Sequence, residues 1–198
     1  MYKRQRVGVV GEIYVRNHPF ANNNIIARLE ALGAACELSS LAEWIYYTNF
    51  TRVAMARRRR QVGPLVGNLA EGFVQRRIEK TLARPLEARF GPLVEGSIEH
   101  VLHLAQPYLD PTFEGEAVLS IGKIVEFHHR GLDGAVNVMP FTCMPSTIVS
   151  TQTTRISADC GGMPILNLSF DGQEDAALTT RLEAFVDQLR QRRVPVPV

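Results

Sequence analysis

Short apolar runs alternate with helix-like stretches along most of the chain. Val7-Gly-Val-Val10, within residues 6–15, suits a buried strand. Pro19 and the Asn22-Asn-Asn24 cluster mark a turn and a helix start. Ile25, Ile26, Leu29 and Leu32 share one helical face, and Gly33 suits its stop. A second strand is expected near residues 35–38. The pattern then changes. From Leu41 to about Pro107 no strand is expected; residues 65–82 and 86–104 read as helices, with breaks at Gly63-Pro64, Pro85 and Gly91-Pro92. Alternation returns with a helix over 114–130, whose Ile121, Ile124, Val125 and His128 share a face. A strand follows at 135–139, a helix at 147–158, a strand at 163–170, and a last helix at 174–192.

Strands alternating with helices predict a layered α/β fold with a parallel sheet. The expectation is a single three-layer α/β domain over residues 1–198, Rossmann-like or flavodoxin-like. Its four strands take the order 2-1-3-4, and residues 41–107 form a helical insertion after the second strand. Crossovers in such a fold are right-handed.

Composition changes this picture little. A chain of 198 residues with 45% hydrophobic and 21% charged residues has the make-up of an ordinary globular protein. A net charge of +2 gives no bulk drive toward nucleic acid or an anionic membrane. No apolar run reaches the ~18 residues of a membrane span, and the first residues do not read as a signal peptide. Three widely spaced cysteines do not make a disulfide framework. A cytoplasmic location is expected.

Ligands of open parallel sheets bind beyond the carboxyl ends of the strands, at the switch in strand order. Residues 11–18, 140–146 and 167–175 leave those ends. Glu12, Tyr14, His18, Cys143, Asp171 and Gln173 are therefore expected on one rim. Cys143 lies just before a helix expected to start near Ser146 or Thr147, where amide groups and the helix dipole favour a thiolate. The other reading of a lone cysteine is an inert residue packed under a loop. Cys36, opening strand two, and Cys160, after the following helix, are expected at the opposite end of the sheet. His128-His129 and Arg57 to Arg60 read as helix-end and solvated-face residues. Lys123 resembles the end of a phosphate loop only superficially, because the glycine spacing is wrong. A flavin-type binder is disfavoured, since Gly11-Glu-Ile-Tyr14 lacks the dinucleotide glycines.

Several stretches resemble one family: Val9-Val-Gly-Glu-Ile-Tyr-Val-Arg-Asn-His-Pro-Phe-Ala-Asn-Asn-Asn24, Leu41-Ala-Glu-Trp-Ile-Tyr-Tyr-Thr-Asn-Phe50, Phe113-Glu-Gly-Glu-Ala-Val-Leu-Ser-Ile-Gly-Lys123, Asp133-Gly-Ala-Val-Asn-Val-Met-Pro-Phe-Thr-Cys-Met-Pro145 and Pro164-Ile-Leu-Asn-Leu-Ser-Phe-Asp-Gly-Gln-Glu174. They resemble the acyl-CoA dehydratase activase-related proteins, grouped with 2-hydroxyacyl-CoA dehydratases, benzoyl-CoA reductase subunits and double-cubane cluster proteins of anaerobic metabolism. The resemblance implies two Rossmann-like subdomains with an iron–sulfur cluster, 4Fe–4S or double-cubane, between them. It covers the later subdomain and makes Cys143 that subdomain's metal ligand. Because a cubane typically takes four cysteines, the remaining ligands are expected on another chain or subdomain. An ATP-dependent activator and a homo-oligomer are further expected partners. Ser146 departs from the family pattern, which has glycine there. The implied function is low-potential electron transfer through a shared cluster; the alternative is an interaction or scaffold module with no cluster.

Overall fold

The structure is a computed structural model that describes residues 4–90, 96–113, 115–173 and 176–193. It divides into two compact units, Met1–Ser39 with Val101–Val198, and Ser40–His100.

The first unit is the α/β body. Its strands β1 (Gln5–Gly11), β2 (Ala34–Leu38), β3 (Gly134–Pro140) and β4 (Ile165–Phe170) form one sheet in the order β2-β1-β3-β4. All three pairings are parallel. The predicted order and sheet type are therefore observed. Helices α1 (Ile13–Asn17) and α2 (Ile25–Ala31) join β1 to β2; α6 (Glu116–His129), α7 (Met144–Asp159) and α8 (Leu178–Arg193) surround the later strands.

Strand alternation decides which helix covers which face. Val7, Val9, Val136, Val138, Leu168 and Phe170 form one buried cluster with Ile25 and Leu29 of α2 and Leu182 and Leu189 of α8. The opposite face meets α6 and α7. There Gly8 leaves room for the Phe127 ring, which is fully buried; any Cβ at Gly8 would overlap it. Gly122 likewise lets α6 approach the backbone of Val101 in α5 (Ile98–Ala105). On this face Asn137 and Asn167 stand opposite each other in register, and Asn137 Nδ2 donates to Asn167 Oδ1 at 3.0 Å. Asn167 Nδ2 donates on to Thr153 Oγ1 of α7 at 3.1 Å. A one-residue slip of β4 would break this buried ladder and turn Leu168 outward.

The second unit is helical. Ser40 caps α3 (Leu41–Arg58), its Oγ accepting the Ala42 N–H at 3.0 Å. The turn at Arg59 and Arg60, with Arg60 at φ 54°, leads into α4 (Val62–Phe90). The Arg57–Arg60 run therefore lies at a helix C-terminus, where cations offset the dipole. Asn49 Nδ2 donates to Gln75 Oε1 at 3.3 Å, and Arg52 pairs with Glu71 at 3.2 Å, so α4 returns antiparallel to α3.

Two sequence expectations change here. Pro64 falls in the first turn of α4, where its missing N–H is needed by no helical bond. Pro85 does not end the helix; α4 runs through it to Phe90. A proline there forgoes one backbone bond, to the Thr81 carbonyl, while the turns on both sides persist. The Gly91-Pro92 break lies outside the described residues. Among the described residues no helix is long and apolar enough to cross a membrane.

Candidate functional site

The carboxyl edge of the sheet is built by tight exits from β1, β3 and β4. Gly11 ends β1 at φ 116°, and a Cβ there would collide with the Val138 backbone. The chain then turns at once, and Glu12 N–H donates to Val138 O at 3.0 Å. This places Glu12 as the cap of α1, a five-residue helix missing from the sequence reading. Its carboxylate accepts the Tyr14 and Val15 N–H groups at 3.1 and 2.8 Å. Tyr14, 61% exposed, stacks on His18 with ring centres 5.0 Å apart; His18 in turn meets the edge of Phe20. His18 Nδ1 accepts the Ala21 N–H at 3.3 Å.

The exit from β3 is tighter. Phe141 N–H donates to Phe170 O at 2.9 Å, tying the ends of β3 and β4 together. Thr142 follows at φ 64°, a conformation that costs a β-branched residue free energy. Cys143 is the next residue and the N-cap of α7, which begins at Met144. The helix starts two to three residues earlier than expected. Pro145 in its first turn is preorganised for that start. Cys143 is half-buried, and its side chain caps no helix amide. Its S–H donates to Ser146 Oγ at 3.5 Å. Ser146 is buried in the first turn, so it is a partner of the thiol and not the helix cap.

After β4, Asp171 Oδ1 accepts the Gln173 N–H at 2.9 Å, and Gly172 turns at φ 85°. Both side chains are exposed. Thus Glu12, Tyr14 and His18 follow β1, Cys143 follows β3, and Asp171 and Gln173 follow β4, on three neighbouring strands. Each loop carries its own internal contacts.

The other cysteines differ chemically. Cys36 is the third residue of β2, level with Val7, and not the strand opener that was expected. Burial, then the nearby Glu30 carboxylate, push its thiol up to about 12. Cys160 caps the far end of α7 and is 2% exposed; burial and then Asp159 raise its pKa. Lys123 is 3% exposed, 2.9 Å from the Glu126 carboxylate and over the Phe127 ring. It serves the α6 interior and faces no phosphate loop.

Residues that the sequence reading passed over also reach this edge. Glu116, in the first turn of α6, accepts the Ile13 N–H. Burial, then the Glu12 carboxylate, raise its pKa, against the pull of that hydrogen bond and Arg16. Only the fold brings α6 to α1, so no local motif marks the pair. Phe141 and Met144 are each 67% exposed beside Cys143; their apolar character was legible, their exposure was not. A cleft of about 640 Å³ in the α/β body lies elsewhere. It is lined by Ser157, Gly162, Pro164 and Arg192, at the amino end of β4.

The donor set bears on a cluster. Among the described residues no three His, Cys, Asp or Glu side chains are grouped to hold a metal ion. The rim offers one thiol, which fits a single ligand of a site completed from elsewhere. Compared with protein-family models, curated proteins and solved structures, the chain matches none.

Proposed function

We propose that this chain supplies one ligand, the Cys143 thiolate, to an iron–sulfur cluster whose other cysteines come from another chain or subdomain. The observation that carries the reading is the placement of Cys143. It is the cysteine found at the carboxyl edge of the sheet, half-buried, at the N-terminus of a 16-residue helix. Unpaired amide groups in the first turn of a helix favour a negatively charged ligand such as a cluster. The exposed Tyr14, Phe20, Phe141 and Met144 give the rim apolar area that a covering subdomain would bury. A bound cluster would supply low-potential electrons, and the family resemblance makes an acyl thioester the candidate acceptor. Glu12, Tyr14, His18, Asp171 and Gln173 would form the substrate side of the cleft.

The test is anaerobic reconstitution with iron and sulfide, of the chain alone and with candidate partner chains. Iron and broad visible absorbance should appear with the partner and be lost in Cys143→Ala, but persist in Cys36→Ala. Equal iron content in the Cys143→Ala variant would sink the assignment.

The second reading is a scaffold module with no cluster. It is favoured by the single thiol at the rim and by the helical unit, which turns apolar side chains outward. Iron-free protein that remains iron-free with every partner chain supports this reading.

A further inference from the structure

The net charge of the whole chain hides an uneven distribution. Residues 40–100 carry ten Lys or Arg and six Asp or Glu, against twelve and fourteen in the rest. The bias is sharpest from Trp44 to Ala70, which holds five arginines and no acid. Four of them, Arg57–Arg60, lie exposed where α3 ends and the chain turns into α4. The outward side of α4 extends this pattern. Val62, Val66, Leu69 and Phe73 are spaced four, three and four residues apart, so they fall within about 60° of arc. All four are exposed, from 48% for Leu69 to 73% for Val62. Further along, the same arc carries Arg77, Lys80 and Arg84, also exposed. The intervening acids, Glu71 and Glu79, are half-buried on other sides of the helix, and Glu71 pairs with Arg52 of α3. Among the described residues none of these seven cations is in an ion pair. An exposed apolar stripe about 16 Å long is thus bordered by cations at both ends.

We propose that this side of α4, with the Arg57–Arg60 turn, docks on an anionic lipid surface, lying on the bilayer without spanning it. Charge complementarity selects the occupant. Seven free cations require a negatively charged partner, and the stripe between them requires an apolar one. An acyl layer under anionic headgroups supplies both at once, and an interfacial helix sinks about 5–10 Å into that boundary. The stripe side chains carry no hydrogen-bonding group, so base edges, which are read by hydrogen bonds, gain little from them. Arginine and lysine stems reach from a sunken helix back to the headgroups. Each such cation near an anionic surface strengthens binding about fivefold. The chain's overall charge of +2 conceals this attraction, because the rest of the molecule is net acidic.

The experiment is co-sedimentation of the full chain with sucrose-loaded vesicles. Wild type binds mixed phosphatidylcholine and phosphatidylserine vesicles, binds phosphatidylcholine alone roughly tenfold or more weakly, and is weakened by salt. The double variant Arg58→Gln, Arg59→Gln loses roughly twentyfold in affinity. The double variant Val66→Gln, Phe73→Gln loses roughly tenfold or more, with unchanged circular dichroism, since both side chains are exposed in the folded chain. Phe73→Trp acquires fluorescence that brominated acyl chains quench, beyond any quenching of Trp44, the one tryptophan of the wild type. Wild type that leaves phosphatidylserine vesicles unbound overturns the proposal. So does binding that Val66→Gln, Phe73→Gln leaves intact, because the attraction is then charge alone. Duplex DNA that displaces the vesicles at equal phosphate also overturns it, and assigns the arginines to nucleic acid.

Discussion

Cys143 and Cys36 are both half-buried; burial, then the Glu30 carboxylate, push the Cys36 thiol up to about 12. At pH 8 a thiol with a pKa of about 12 is ionised in roughly one molecule in 10⁴. Alkylation runs through the thiolate. Iodoacetamide at pH 8 should therefore label Cys143 first and leave Cys36 and the buried Cys160 last, as read by peptide mass mapping. Comparable labelling of Cys36 would contradict the sheet position found for it. Glu116 gives a second residue-level test. Its folded pKa lies above the ordinary value of 4.5, through burial and the Glu12 carboxylate. The protonated form thus favours folding, and that contribution is present below about pH 4.5 and lost as pH rises through the folded value. Glu116→Gln removes the titration. Its melting temperature should gain on wild type between pH 4 and pH 7. Cys143 was legible in the sequence because two prolines and a helix signal frame it. Glu116 was not, because its partners Glu12 and Ile13 lie on another element a hundred residues away.

Elements with a clear period were legible and those with conflicting signals were not. The strands of the sheet and the α6 face announce themselves by apolar spacing. Helix α1 escaped because five residues are too few to show a period; it exists because Gly11 turns the chain and Glu12 caps the Tyr14 and Val15 amides. Helix α4 was expected to break at Pro85, because proline forgoes a backbone bond and crowds the preceding turn, yet it runs on to Phe90. The penalty behind that expectation remains physical. Pro85→Ala should stabilise the helical unit by about 1–3 kcal/mol. Urea unfolding monitored at a helical-unit probe such as Trp44 reads this directly; an unchanged midpoint would mean that α4 is not helical at residue 85.

At the scale of the molecule, the order β2-β1-β3-β4 was legible because each apolar run is separated from the next by helix-length chain. The unequal packing of the two units was not, since periodicity counts apolar residues without saying which are covered. The α/β body holds a contiguous buried cluster, whereas the helical unit buries few apolar side chains. Native-state hydrogen exchange at low protein concentration should be slowest at Val7–Val10 and Val136–Val138. It should be faster along residues 62–90. Equal protection in both would refute this division of stability.

The pairing of β1 with β3 has a consequence during synthesis. Arg6 N–H donates to the Asp133 carboxylate at 2.7 Å, and Asp133 N–H to the Arg6 carbonyl at 2.8 Å, across 127 residues of chain. A ribosome adding 5–20 residues per second needs about 6–25 s to make that distance. Throughout that interval Val7, Val9 and Val10, all fully buried in the finished sheet, wait on the nascent chain with one side of β1 unpaired. The inserted helices thus lengthen a vulnerable period. Cells translating this message quickly, or holding the emerging segment on a chaperone, should recover more native protein than those that pause within codons 41–133.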